Sequence, residues 1–135
     1  MGLIIDSNVF IRAERDVRAD LFAPYVTQGN AYISAITASE ILVGVHLANS
    51  EARRNKRRAF VEGILTLFPV LDFSIDSARI HAELYASLCQ KGELIGAHDL
   101  IIAATALQHG FAVLTGNERE FIRIPGLKVL VFEER

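Results

Sequence analysis

Short apolar runs that stop at an acid or an amide, separated by stretches of helical periodicity, constrain this 135-residue chain more than any other feature. Leu3-Ile4-Ile5 stops at Asp6, and Val113-Leu114-Thr115 leads into Asn117, Glu118 and Glu120. Glu40 follows Tyr32-Ile33 and a helix-start signal at Thr37, and Asp99 opens the apolar stretch Leu100 to Leu107. Brief runs that are apolar throughout read as strands buried on both faces. Strands alternating with helices build βαβ units. The expected fold is therefore α/β: a single domain over residues 1–135 with a mainly parallel central sheet flanked by helices. Right-handed crossovers bring every strand's carboxyl end to one edge. Ligands bind at that edge, where the strand order reverses. The four polar clusters are expected to meet there.

Strands are predicted at 2–5, 31–34, 69–71, 111–115 and 127–132. Helices are predicted from Ser7 to Ile11, over about 18–28, from Thr37 to Leu47, from Glu51 to Thr66 and from Asp76 or Ser77 to about Gln90. Asp99 to Gln108 is apolar on every side and should form a central, buried helix, stopped by Gly110. One helical turn or more is expected over Asn117 to Ile122.

A chain of this size buries roughly two-thirds of its unfolded surface and needs no disulfide. The single cysteine, Cys89, lies in a helical pattern and fits a reducing compartment. No charged-then-apolar leader opens the sequence. The longest apolar runs, about eight residues, fall short of the roughly 18 that span a bilayer. A cytoplasmic protein without membrane association is expected. An apolar share of 51 % is high for so small a chain, which points to surface covered by another subunit, such as a homodimer. A net charge of -2 is not that of a generally basic nucleic-acid binder; the local exception is Arg53, Arg54, Lys56, Arg57 and Arg58.

Each polar cluster also has a purely structural reading. Asp6 could cap the helix that follows it. Thr37-x-x-Glu40 has the form of a capping box. Asp99 could answer a helix dipole. Asn117 could cap a turn, with Glu118 and Glu120 solvated. Their coincidence at one edge is what carries the functional reading. Gathered carboxylates repel one another unless a cation holds them, and an unpaired buried charge is expensive. Hard oxygen ligands favour Mg²⁺, with Mn²⁺ as the substitute. The chemistry indicated is that of a metal-dependent phosphodiesterase.

The chain also resembles a known family. Leu3 to Ile11, reading Leu-Ile-Ile-Asp-Ser-Asn-Val-Phe-Ile, looks like the opening of a PIN domain. Ser39-Glu40-Ile41-Leu42-Val43-Gly44 resembles its second motif, and His98-Asp99-Leu100-Ile101-Ile102-Ala103-Ala104-Thr105-Ala106 its third. Val113 to Asn117, then Glu120-Phe121 and Ile124-Pro125-Gly126-Leu127, resembles its fourth. The length is similar to that of the VapC-type toxins of toxin–antitoxin pairs.

The resemblance implies an Mg²⁺-dependent endoribonuclease held silent by a cognate antitoxin, as a homodimer or in a higher toxin–antitoxin assembly. It assigns Asp6, Glu40 and Asp99 to the acidic triad that binds metal. Asn117 stands where many relatives carry Asp, as an orienting or water-mediated ligand, and Glu120 supplies outer-shell charge. Water attack would leave a 5′-phosphate and a 3′-hydroxyl. Thr115 and Ser7 are candidates to hydrogen-bond a ligand carboxylate, or else cap and turn residues. Arg53, Arg54, Arg57 and Arg58 form like-charged pairs four apart, which suits an anionic partner such as RNA phosphate, or else a solvated helix. Arg12, Arg15 and Arg119 are alternative phosphate contacts near the active edge. His98 could touch substrate, or else satisfy a backbone group. The competing reading is an inert PIN-like module that binds RNA or protein without cleavage.

Overall fold

A computed structural model describes residues 2–15 and 30–132. Its sheet holds β1 (Leu3–Ile5), β2 (Ala31–Ser34), β3 (Val70–Leu71), β4 (Ala112–Thr115) and β5 (Val129–Val131). Every pairing is parallel and the spatial order is β3-β2-β1-β4-β5. The helices among the described residues are α1 (Ser7–Arg15), α2 (Ala35–His46), α3 (Glu51–Leu67), α4 (Ile75–Lys91) and α5 (Ala97–His109), with a 3₁₀ turn at Phe121–Arg123. This is the α/β architecture the alternation implies. The helix expected over 18–28 lies outside the described residues.

Successive strand residues face opposite sides, and the central strands show it directly. Ile4 and Val113 pack beneath α4 and α5 with Leu88, Ile102, Ala103 and Ala106. Ile5 and Leu114 pack on the other face with Val9, Phe10, Ile41, Val45 and Val61 from α1, α2 and α3. Ile4, Ile5, Val113 and Leu114 are fully or almost fully buried, which is why β1 and β4 show no polar alternation. Full burial of such a side chain contributes about 1.5–3 kcal/mol. α5 buries residues around most of its circumference, as its all-apolar sequence requires.

Two helix starts differ from expectation. α2 begins at Ala35, with Ser34 as its cap; the Ser34 hydroxyl accepts from Thr37 N–H at 3.2 Å. Thr37 is thus inside the first turn, and the expected Thr37–Glu40 box does not form. The reason is that β2 runs straight into α2 with no loop, so the last strand residue does the capping. α4 begins at Ile75, capped by Ser74 in a reciprocal box with Ser77. α1 runs past the expected end at Ile11, because Ala13 continues the buried stripe of Val9 and Phe10. Asn117 precedes a turn over 118–120 rather than opening a helix. No helix among the described residues is long and apolar enough to cross a membrane.

Glycine does two different jobs here. Gly110 ends α5 in the left-handed region at φ 69°, whereas Gly63 is an exposed interior residue of α3 with nothing within 4 Å of an added Cβ. Gly110→Ala is expected to destabilise the fold by about 1 kcal/mol or more, and Gly63→Ala to stabilise it by roughly 0.5–1 kcal/mol. Urea denaturation of the two variants checks both signs.

Candidate active site

β1 pairs with β4 in a register that places Ile5 against Leu114. The ladder continues by one bond, from Asp6 N–H to Leu114 O at 2.9 Å. Asp6 therefore lies beside Thr115, 109 positions away in the chain. Thr115 Oγ1 donates to Asp6 Oδ2 at 2.9 Å, and Ser7 N–H donates to Asp6 Oδ1 at 2.8 Å. Asp6 is only 5 % exposed. Burial pushes its pKa up, the bonds from Thr115 and Ser7 oppose that, and the charge of Glu40 raises it further. One Asp6 oxygen accepts from the first N–H of α1 and the other from Thr115, so both are oriented by the surrounding chain.

Asp99 sits in the first turn of α5 and makes no cap. Its partner is Glu120, which arrives from the turn after β4. Burial, a hydrogen bond with Glu120, and then the charges of Asp6, Glu120 and Glu40 push Asp99 up to about 8. Glu120 moves down, chiefly through the same bond, with help from Gly96 N–H and Arg123. The two carboxyls titrate as a pair, Asp99 moving up and Glu120 down. A Cβ at position 96 would lie 3.4 Å from Glu120 Oε2 and 3.5 Å from Asp99 Oδ2. Gly96 thus keeps the helix start open to both acids.

Glu40 projects from α2 with one oxygen, Oε2, 3.4 Å from His98 Nδ1. The other, Oε1, is buried and has no hydrogen-bond partner among the described residues. With the Thr37 box absent, the strongest structural explanation for Glu40 is gone. Its charge reaches both Asp6 and Asp99. An orphaned buried carboxylate oxygen beside two strained carboxyls is costly unless a cation neutralises it.

This donor set fits a hard divalent ion. Every candidate ligand is an oxygen, supplied after β1, from α2 and from the start of α5. No three His, Cys, Asp or Glu side chains among the described residues converge into a ready ligand shell.

The other expected site residues are distributed unevenly. Asn117 is exposed and enters the site through its backbone, whose N–H donates to Thr115 Oγ1 at 3.0 Å. Glu118 is exposed, and its carbonyl accepts from Ile122 N–H. Two residues carry more than the sequence disclosed. Asn8 bridges the strand ends: its Oδ1 accepts from Gly116 N–H at 3.0 Å and its Nδ2 donates to Thr115 Oγ1 at 3.4 Å. His98 holds Glu40. The only available signal was adjacency to Asp6 and Asp99.

The basic cluster on α3 finds partners within the chain. Arg57 pairs with Glu14 at 2.9 Å and donates to Gly44 O at 3.0 Å. Arg54 donates to Ala48 O, Arg53 to Asn49 and Arg58 to Asn55. Much of the repulsion expected along this helix is relieved locally.

The raised acids make the fold pH-sensitive. Folded Asp99 keeps its proton up to about 8, whereas the unfolded chain releases it near 3.8, so the unfolded state binds fewer protons in between. Stability must fall as pH rises through that range, and Asp6 acts in the same sense. Glu120 acts oppositely, but only around and below its ordinary 4.5. Without divalent ions, the Tm is expected to drop between about pH 5.5 and 8, and Asp99→Asn to flatten the slope. Thermal melts in EDTA measure it; an equal slope in the variant would contradict the assignment.

Comparison with known proteins identifies the family. Residues 3–127 match the PIN domain family. Ribonuclease VapC1 of Rickettsia felis is 41 % identical over 136 residues, covering 100 % of this chain and 99 % of the relative. The tRNA(fMet)-specific endonuclease VapC of Salmonella typhimurium is 36 % identical over 97 residues, 72 % of this chain and 71 % of the relative. In three dimensions, a chain of the VapBC2 complex of Rickettsia felis, bound to a DNA fragment from their promoter, superposes with a TM-score of 0.88 at 25 % identity, covering 98 % of this chain and 100 % of that one. Motif order, strand order and end-to-end similarity converge: the chain belongs to the PIN-domain family, among its VapC ribonucleases.

Proposed function

We propose that the chain is a divalent-metal-dependent endoribonuclease, the toxin of a toxin–antitoxin pair, with Mg²⁺ as its ion and Mn²⁺ as a substitute. The observation that carries this reading is the orphaned Oε1 of Glu40 beside the two raised carboxyls of Asp6 and Asp99. Asp6, Glu40 and Asp99 would hold the ion, with Glu120 and Asn117 completing the catalytic set. The bound ion lowers the pKa of water and offsets charge building on the phosphate.

The remaining work belongs to the chain. Thr115 and Ser7 fix the Asp6 carboxyl in one orientation, so it need not reorganise when the phosphate arrives. His98 holds one oxygen of Glu40 and leaves the other to accept a hydrogen bond from the attacking water. Asp99 must release its proton for its carboxylate to act, and Glu120 is the adjacent acceptor of that proton's hydrogen bond. Attack by water on phosphorus expels the 3′-oxygen and leaves a 5′-phosphate, without use of the 2′-hydroxyl.

Two surfaces suit the partners. A cleft of about 240 Å³ between α1, α2 and α3 has a floor of Phe10, Ile41, Phe60 and Val61 and carries Glu14 and Glu40 among its lining residues. It fits the apolar face of an antitoxin helix with a basic side chain directed at Glu40. The VapBC neighbour supports an antitoxin partner. Val70, Phe73, Ile75 and Tyr85, all more than 40 % exposed along β3 and α4, form the surface best suited to a homodimer. Such a protein acts in the cytoplasm.

The partner-free chain is expected to cut total cellular RNA at discrete positions with Mg²⁺ or Mn²⁺ and to stop in EDTA. Asp99→Asn and Asp6→Ala should each lower cleavage by more than about 100-fold, and folded Asp6→Ala should not be toxic on expression. Thr115→Val, which releases Asp6 Oδ2, should cost about 10–100-fold in metal affinity or rate. Sequencing of 5′-phosphate ends reads all of these. Salt-dependent RNA binding with no product under any condition would instead support an inert binding module.

A further inference from the structure

We infer that Arg12 is a substrate-binding residue that holds the RNA phosphate flanking the scissile one, and so sets the path of the strand away from the acids. The inference rests on the ribonuclease reading and adds a contact to it. Arg12 lies one helical turn, about 5.4 Å, beyond Asn8 on the same face of α1. Between them the two residues grip the peptide groups of Gly116 at the end of β4. Asn8 Oδ1 accepts from Gly116 N–H at 3.0 Å, and Arg12 Nη2 donates to Gly116 O at 3.3 Å. A Cβ at position 116 would stand 2.7 Å from Arg12 Cζ and Nη1. Glycine leaves room for the guanidinium here, and a larger residue would shift that flexible head aside. Arg12 is half-buried, and the bond to Gly116 O ties its head to the end of β4.

What the seat leaves over is a cation with spare donors. A guanidinium carries five N–H groups, and Gly116 O is the one hydrogen-bond acceptor that Arg12 has among the described residues. It makes no ion pair there, in contrast to Arg57, which is paired with Glu14. Nor does it lower the acids: among the described residues, Arg123 is the cation that acts on them, and it acts on Glu120. The positive charge is therefore not consumed by the carboxylate cluster among the described residues, although it sits on the helix that follows Asp6 and against Gly116, the residue after Thr115. A planar fork with free donors is the group best suited to a phosphate. A polyanion entering a cluster of acids also requires an attractive charge at its border.

The competing explanation is that Arg12 merely pins the Gly116 carbonyl. Arg12→Gln separates the two, because its amide can still donate to Gly116 O but carries no charge. The substrate is an RNA oligonucleotide spanning a cleavage site of the parent chain, in three forms: all phosphates intact, or the phosphate on one or the other side of the scissile one replaced by a neutral methylphosphonate. With Mg²⁺, Arg12→Gln is expected to raise KM about tenfold with kcat and Tm little changed, and to reduce the salt slope of log kcat/KM by about 0.7. The parent should lose a similar factor on one of the two methylphosphonate substrates flanking the scissile position, and Arg12→Gln should lose little more there. Equal losses for parent and variant at both flanking positions, or unchanged KM and salt slope in the variant, would overturn the inference while leaving the nuclease reading intact. A variant that melts lower and loses kcat alone would also overturn it, in favour of the pinning role. A parent chain that cuts no RNA with either ion would remove the nuclease reading and this inference together.

Discussion

The parallel register between β1 and β4 is the constraint on which the site depends. It sets Ile5 beside Leu114 and, one step further, Asp6 beside Thr115. From that adjacency follow the fixed Asp6 carboxyl, the Asn8 bridge to Gly116 and the seat of Arg12. A slip of one residue would turn Ile4 and Ile5 onto the wrong faces and lose both core clusters. Hydrophobic burial therefore protects the geometry of polar groups that lie just beyond the strands. The core does not touch the chemistry, yet it decides where the chemistry sits.

Beyond the strand ends the structure stores electrostatic tension. Asp6, Glu40, Asp99 and Glu120 come from separate elements; burial and neighbouring acids push Asp6 and Asp99 up, whereas the hydrogen bond with Asp99 pulls Glu120 down. A chain selected for stability alone would replace some of these acids. The tension has a use if a cation enters, because every unfavourable term then reverses sign: the orphaned Glu40 oxygen gains a partner. Two nearby arginines do not relieve it. Arg57 is occupied with Glu14, and Arg12 with the Gly116 carbonyl.

The sequence was most legible where local rules act without competition. The buried strands, the all-apolar α5 and the glycine stop at Gly110 follow from hydropathy and backbone sterics. It was least legible at helix starts. Thr37 and Ser34 both satisfy the rules for a cap, and the choice went to Ser34 because β2 leads into α2 without a loop. That choice matters functionally, since it removes the bond that would have engaged Glu40. The pairing of Asp99 with Glu120 and the His98–Glu40 contact could not be read from spacing, because each joins elements that only packing brings together.

By itself, then, the sequence determined the fold class, the acids at strand ends and helix starts, and their donor chemistry, since these depend on residue type and local periodicity. Tertiary structure decided which acids meet, which are protonated and which oxygen is left without a partner. It also decided that Arg12, beside the site, has no ion-pair partner among the described residues, whereas Arg57 of the more conspicuous basic run on α3 is paired with Glu14. The physical reason is range. Propensity and capping act over a few residues, whereas pKa shifts, ion pairs and orphaned groups depend on distances across the sheet edge, which the sheet register and helix packing set.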